Sequence, residues 1–600
     1  MNGLLIFDHL NDVVYTKYNE EFIQHINNFA IEQEILPEEV ATNSIDVNIL
    51  IQAFSPIVTS HRIMSCQFGN SYTSIECENN LTVYFEDYMG YLFLAIGKEK
   101  VDYMQRFTKI CVTIVRYLCG PDVYQLKTDN KKSKLTNELI DNWRKLICYD
   151  QSVYVEAVEQ LFINSELSST SLKILRESVD NISAHVECKK VHGLILVQNK
   201  ILSLYSSASA KELAPSDILF LTILCQSLNL AVEGTYSQPK VSSYQLLLSG
   251  PEDTPKCLPH AVHILPQTNG IHLVYLVEIG NSAVSASLYE SFSYLHTLQQ
   301  VQIQRDNQTL QSAFENLELA TKRLHDSLKK TKNVTVDNSH KQLMKKWDII
   351  KKKYQEFLKN NSEEALLRAE TLALGFLENL KQLFSLTSVD DSILSCSAKY
   401  VIQAALKVKE KITLYEDFFK VKSIKNFSIE SRDSLTINKY LEEFPGLVHF
   451  LYVDRNSHRI TTPTLDLDTE EGRFNKKKIW LMLSVAKSKL QNGLMSIIWK
   501  DLNYSYAYFL WFEDTNGQAL KPVVFPEEVS GWPGILCEDF YQKLRKICFP
   551  KTPPSKVRCY EVFCLHLGLV TASLVLEQTR RLAATISELR GYPPRAVDFF

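Results

Sequence analysis

The sequence predicts an α+β protein of three similar modules, each a five-stranded, mostly antiparallel sheet with helices on both faces, with a helical arm between the second and third. Three observations carry this prediction. The chain has 600 residues, enough for several domains at about 100 to 200 residues each. Glycine and proline number 19 each, about half of average usage, so regular elements outweigh long loops. One order of elements recurs three times: a hairpin, a helix, a three-stranded meander and closing helices.

The first module is placed at residues 1–150. Apolar runs at 3–7 and 13–18 flank the turn-forming pair Asn11-Asp12 and read as a hairpin. Ser44 can cap the next helix, in which Ile45, Ile49 and Ala53 recur at spacing four, and Pro56 ends or kinks it. Runs at 72–77, 81–86 and 91–96, separated by Asn79-Asn80 and Gly90, form the meander. Helical periodicity follows at 101–119 and 134–149, the second through Leu135, Leu139, Trp143 and Leu146.

The second module, 151–300, has a leading helical connector. Runs at 194–198 and 201–205 flank Asn199, Pro215 and Ser216 start a helix through Leu228, and strands are expected at 244–248, 261–265 and 271–278. A long helix begins near Ala283. In the arm, 301–434, Leu310, Phe314, Leu317, Leu324 and Leu328 fit one a/d seam, and Leu343, Trp347, Ile350, Tyr354 and Phe357 fit another. Both an intramolecular arm and a partner-binding coil satisfy that pattern.

The third module is placed at 435–600. Runs at 447–453 and 459–462 make its hairpin across Asn456-Ser457, and a helix at 476–491 stops at Asn492-Gly493. Strands at 495–500, 504–512 and 520–525 make its meander, Pro522 marking an edge. Helices at 538–548 and 557–589 close it. The run 559–576 approaches membrane-spanning length, but a span would place Glu561 in hydrocarbon at a cost of about 3 kcal/mol. A buried packing helix is therefore expected there.

Composition excludes several function classes. With 65 basic and 69 acidic residues the formal charge is -4, so no global nucleic-acid footprint exists. The 13 cysteines form no Cys-x-x-Cys pair and most lie in apolar runs, which suggests a reducing compartment. Residues 1–14 lack a basic n-region, so no signal peptide is expected. Phosphate-loop, dinucleotide-binding, zinc-protease and hydrolase-elbow motifs are missing. Gly97-Lys98 reads as a strand-end turn, and His260, His263 and His272 read as ordinary histidines because strand positions three apart face opposite sides. No catalytic residue, cofactor or metal ligand is assigned.

Two surface features stand out. Residues 322–359 hold twelve Lys/Arg against four Asp/Glu, a basic excess that is either a solvated helix exterior or a contact for an anionic membrane. In the first helix, Ile45, Val47, Ile49, Leu50, Ile51, Ala53 and Phe54 spread around much of the circumference and leave Ser44, Asn48, Gln52 and Ser55 as an uncharged polar stripe. A subunit interface and a tightly enclosed intradomain helix both fit that distribution.

At 440–455 the sequence YLEEFPGLVHFLYVDR resembles the Hermansky-Pudlak syndrome type 1 family, a set of triple longin-domain proteins related to the Mon and Ccz subunits. Further similarity lies at Tyr508-Phe509-Leu510-Trp511-Phe512-Glu513, at Val557-Arg558-Cys559-Tyr560-Glu561, and more loosely at Tyr205-Ser206-Ser207 with Pro215 and Asp217. The resemblance implies three longin modules and a subunit of the biogenesis of lysosome-related organelles complex three. It implies pairing with the Hermansky-Pudlak syndrome type 4 protein and guanine nucleotide exchange on Rab GTPases of melanosomes and related compartments. A cytoplasmic protein with peripheral membrane association is the expected location. The chain lacks the Ser/Pro-rich insertion of longer members, with only residues 234–243 in its place. On this reading Asn48 and Gln52 lie near the partner or GTPase surface, and the segment from Phe444 onward enters the third module's first strand. A non-catalytic Rab effector, tether or coat-like adaptor is the alternative built from the same modules.

Overall fold

The computed structural model describes residues 2–35, 45–68, 70–186, 190–228, 241–250, 257–268, 270–304, 307–329, 333–360, 362–388, 391–424, 443–465, 467–589 and 597. Ser44, residues 234–240 and residues 440–442 lie outside them.

The first sheet is built from β1 (Gly3–Phe7) and β2 (Val13–Tyr18), followed by α1 (Glu20–Glu32) and α2 (Val47–Phe68), then β3 (Ser74–Cys77), β4 (Leu81–Tyr88) and β5 (Tyr91–Gly97). Its order is β2-β1-β5-β4-β3, antiparallel throughout. The hairpin turns where predicted: Asn11 adopts φ 67° and the Asp8 carboxylate accepts from the amides of Leu10 and Asp12. The α1 helix was not among the predicted elements. Asn19 caps it by accepting from the Phe22 amide, and Phe22, Ile26 and Ala30 turn inward. Both helices lie on one sheet face, where Phe22, Ile49, Leu50, Phe54 and Val58 pack on Leu5, Phe7, Phe85 and Leu94. The other face meets α3 (Val101–Cys119), followed by α4 (Gln125–Thr128) and α5 (Asn130–Tyr149).

A short α6 (Gln151–Val155), β6 (Val158–Glu159) and α7 (Ser165–His185) precede the second sheet. That sheet comprises β7 (Val191–Val197), β8 (Lys200–Ser206), β9 (Ser242–Leu248), β10 (Leu258–Thr268) and β11 (Ile271–Glu278), in the order β8-β7-β11-β10-β9, with α8 (Pro215–Ser227) between β8 and β9 in the chain. It repeats the first sheet's topology strand for strand.

Four helices follow: α9 (Ser282–Gln304), α10 (Asn307–Leu328), α11 (Val334–Asn360) and α12 (Glu363–Thr387). They pack as a four-helix bundle in which α9 pairs with α10, α11 with α12, and the pairs close on one another. The two predicted seams face one shared core, where Phe314 lies 6.0 Å from Trp347 and Trp347 lies 5.6 Å from Phe376, ring centre to ring centre. The seams are therefore satisfied within the chain, and the arm is intramolecular. Beyond it run α13 (Asp391–Ile412) and α14 (Glu416–Ile424).

The third sheet contains β12 (Leu447–Asp454) and β13 (Arg459–Thr461), then α15 (Glu470–Gln491), β14 (Ser496–Lys500), β15 (Tyr504–Glu513), β16 (Ala519–Leu520), α16 (Phe540–Cys548), β17 (Arg558–Leu567) and α17 (Ala572–Leu589). Its order is β14-β15-β17-β12-β13-β6, with β16 flanking β15. Two predictions are corrected here. Of the expected strand at 520–525 only Leu520 is extended in the sheet, as the second residue of β16. The expected helix at 557–589 begins as the central strand β17 and becomes helical only at Ala572. The reason is burial on both faces: Glu561 and Phe563 point to α15, while Tyr560, Val562 and Cys564 point to α17. A run apolar on both sides carries no strand alternation. Among the described residues no helix is long and apolar enough to cross a membrane.

Candidate functional site

The polar stripe lies on α2. Asp46 stands at the start of this helix: its carboxylate accepts from the Asn48 amide at 2.8 Å and its carbonyl from Ile49 and Leu50; the expected cap Ser44 lies outside the described residues. Of the two outcomes expected at Pro56, an end or a kink, the end does not occur: Pro56 sits inside the helix. Its ring takes an exposed position, and the missing N–H is tolerated because inward contacts hold the helix on either side. Phe54 stacks on Phe22 at 6.2 Å, and His61 stacks on Phe85 at 4.9 Å with its edge toward Tyr72. Arg62 then ties the second half to the β1–β2 turn by donating to the carbonyls of Asp8 and His9.

With one face pinned, the opposite face is exposed. Asn48 and Gln52 both lie on it. Gln52 joins Ser55, Pro56, Thr59, Ser60, Ile63 and Met64 along an open, shallow groove of about 570 Å³. Sequence reasoning missed the half beyond Pro56, although Phe54, Val58 and His61 continue the inward spacing. Val47, Ile63 and Phe68 add large apolar surface at 47%, 43% and 66% exposure. Between Asp46 and Arg62 the only ionisable side chain is His61, which is buried and held below its ordinary pKa by desolvation. The α2 helix is therefore not enclosed in its module, and the face offers neutral amides, hydroxyls and aliphatic groups. Such chemistry suits a protein partner more than an ion or charged small molecule. Among the described residues β3 is an edge strand of the same sheet.

A second cluster has the side chains of an active site but not the access. Arg455, Lys487, Glu561, Tyr508 and Tyr541 are all fully buried around the third sheet. Arg455 Nε donates to Glu561 Oε2 at 2.6 Å, and its Nη1 and Nη2 donate to the Glu156 and Val155 carbonyls at 3.1 and 2.9 Å. Lys487 Nζ reaches both Glu561 oxygens at 3.2 and 3.3 Å, Tyr508 donates to Glu561 at 2.7 Å, and the Arg455 guanidinium covers the Tyr541 ring at 4.0 Å. Burial alone would raise the Glu561 carboxyl, but Arg455 and Lys487 outweigh it and hold the group down at about 2. Burial pushes the Lys487 ammonium down to about 7 against the opposing pull of Glu561.

This cluster clamps the segment around α6 and β6. Glu156 adopts a left-handed φ of 53°, and its carboxylate accepts from the Ile535 and Leu536 amides at 2.8 and 2.9 Å. Two residues later β6 adds to β13 in parallel, and Leu161 donates to the Ile201 carbonyl of β8. Arg455, Tyr508 and Glu561 all fall in the stretches that carried the family resemblance, and β12 starts at Leu447, just after Phe444-Pro445-Gly446. Those stretches therefore serve the fold. Lys487 and Glu156 carried no comparable signal.

The three histidines are dispersed. His263 is buried between Ser243 and Ser397, each 2.8 Å from a ring nitrogen, His260 Nδ1 lies 2.9 Å from the Leu258 carbonyl, and His272 is buried in β11.

Comparison with protein families finds three matches in chain order: the first Longin domain of FUZ, MON1 and HPS1 at residues 2–146, the second at 188–295 and the third at 446–590. Together they cover about two thirds of the chain.

Proposed function

Because the chain belongs to the triple-longin family of FUZ, MON1 and HPS1, we propose that it works as one subunit of a heterodimeric guanine nucleotide exchange factor for Rab GTPases in vesicle trafficking. Within that family, the 440–455 stretch supports the Hermansky-Pudlak syndrome type 1 branch. That branch brings a type 4 partner, Rabs of melanosome-like, lysosome-related organelles, and a cytoplasmic location. The observation carrying the proposal is the uncharged outer face of α2 on the first longin module.

Exchange requires no acid, base or nucleophile from this chain. It requires a surface that binds the nucleotide-free GTPase better than the nucleotide-bound form, because a ligand shifts an equilibrium only by its differential affinity. A joint surface of two subunits that displaces a switch loop would loosen the Mg2+ and phosphate contacts holding the nucleotide, both of which belong to the GTPase. In this scheme Asn48 and Gln52 supply neutral hydrogen-bonding groups at the rim of that surface.

The test is release of a fluorescent guanine nucleotide from a panel of Rabs, with the co-expressed pair and with each subunit alone. Faster release by the pair, and not by either subunit alone, is expected. If the pair accelerates none of the Rabs and instead binds their GTP-loaded forms, the chain is a tether or effector.

A further inference from the structure

The bundle resolves the basic excess of 322–359 into two classes. Ten of its twelve cationic side chains are described, Lys330 and Lys332 lying outside. Six are used within the molecule. Arg323 pairs with Glu290, Lys329 with Asp326, Lys341 with Asp337, Lys351 with Glu318 and Lys353 with Glu356, while Lys346 donates to the Gly375 carbonyl and Asn379. The other four, Lys322, Lys345, Lys352 and Lys359, are exposed and have no ion pair or hydrogen bond among the described residues.

Three of those four share one line. The buried side of α11 runs through His340, Leu343, Trp347, Ile350, Tyr354 and Phe357, an alternation of four and three that defines a heptad seam. Lys345, Lys352 and Lys359 recur every seventh residue on the side opposite that seam, about 10.5 Å apart along the axis. Lys346, Lys351 and Lys353 flank the seam, where the first two reach α12 and α10. The outward lysines thus hold charge that no ion pair among the described residues neutralises. Ile349 lies between the first two at 49% exposure, and Asp348 is the one exposed acid on this helix that makes no ion pair or hydrogen bond among the described residues.

We infer that this ridge of α11 rests on an anionic lipid surface. The ridge is convex and about 21 Å long from Lys345 to Lys359, so a flat surface meets all three ammonium groups at once. It offers one exposed aliphatic side chain and no aromatic anchor, whereas a stable protein interface draws most of its affinity from buried aromatic and arginine anchors. Lysines near an anionic leaflet need no such pocket. The surface is separate from α2, so the inference does not rest on nucleotide exchange. It supplies a physical basis for peripheral membrane association.

The experiment is sedimentation of the full-length chain with phosphatidylcholine vesicles, with and without phosphatidylserine, over a salt series. Binding is expected only to the anionic vesicles and should weaken as salt rises. The triple variant Lys345→Glu, Lys352→Glu, Lys359→Glu should bind at least about tenfold more weakly, since each lysine near the leaflet contributes about fivefold. A control with the same net charge change at paired positions, Lys329→Glu, Lys341→Glu, Lys353→Glu, should lose less than about threefold. Circular dichroism and gel filtration establish that both variants are folded. Equal binding to both vesicle types, no binding by the wild type, or equal losses in the two variants overturns the inference. So does a ridge variant that keeps lipid binding but loses an acidic protein partner. Nucleotide release measured without lipid should be the same for the ridge variant and the wild type.

Discussion

Arg455 donates to Glu561 across 2.6 Å with both side chains fully buried, and the same guanidinium holds the carbonyls of Val155 and Glu156. Arg455 therefore joins the central strand of the third sheet, through Glu561, to a segment about 300 residues before Arg455 itself. Charges this deep are tolerated because every acceptor has a cation or hydroxyl against it.

Replacing Arg455 with Met should destabilise the chain by about 3 to 5 kcal/mol, because Glu561 and two buried carbonyls lose their partner. Chemical denaturation followed by tryptophan fluorescence measures it, with Trp511 and Trp532 both in this region. The double variant Arg455→Met, Glu561→Gln should cost less than the sum of the single changes, since the two groups share one interaction. Strict additivity would mean that the pair is not coupled.

The pH dependence has two arms of known sign. Glu561 titrates at about 2 in the fold and near 4.5 when unfolded, so its contribution is present above 4.5 and lost as pH falls toward 2. Lys487 titrates at about 7 in the fold against 10.5 unfolded. Between those values the unfolded chain binds the extra proton, so stability rises with pH from about 7 to about 10.5. Lys487→Met should flatten that alkaline rise when unfolding midpoints are compared across pH, and an unchanged slope would assign the rise to another group.

Gly493 ends α15 at φ +76°, and a Cβ there would lie 1.8 Å from the Pro526 carbonyl oxygen. Its amide and that of Leu494 close the helix onto Leu490 and Lys489. Gly493→Ala should therefore cost about 3 kcal/mol or more, from left-handed strain plus the backbone clash. Thermal unfolding checks it, with Gly531→Ala as the comparison, because that glycine also has positive φ but nothing within 4 Å of a Cβ.

On α2, the double variant Gln52→Arg, Ile63→Asp should leave stability within about 0.5 kcal/mol, as both positions are exposed. It should weaken association with the co-expressed partner or the GTPase by about tenfold or more, through buried unpaired charge. Calorimetric titration of the purified proteins reads the effect. Unaltered affinity for both would remove this face from the proposed interface.

Much of the fold was legible because local rules were strong. Asn11, Asn199 and Asn456 mark the three hairpins, each between short apolar runs. Leu343, Trp347, Ile350, Tyr354 and Phe357 announced α11 by spacing alone. The run at 558–567 was misread because a central strand covered on both faces lacks the alternation that separates strand from helix. At the candidate site Asn48 and Gln52 were legible as an uncharged stripe, whereas Ile63 and Met64 were hidden behind Pro56, a residue that usually marks a boundary and here does not.

By itself the sequence determined the three-module α+β order, the helical arm and the family, since each follows from spacing, turn chemistry and contiguous motifs. Only the tertiary structure decided that the arm is a four-helix bundle, that Arg455, Lys487 and Glu561 meet in a sealed clamp rather than an open site, and which lysines of α11 remain unneutralised. These depend on which side chains approach one another across long sequence separations. Burial and pairing are properties of that approach, and residue order along one chain does not contain them.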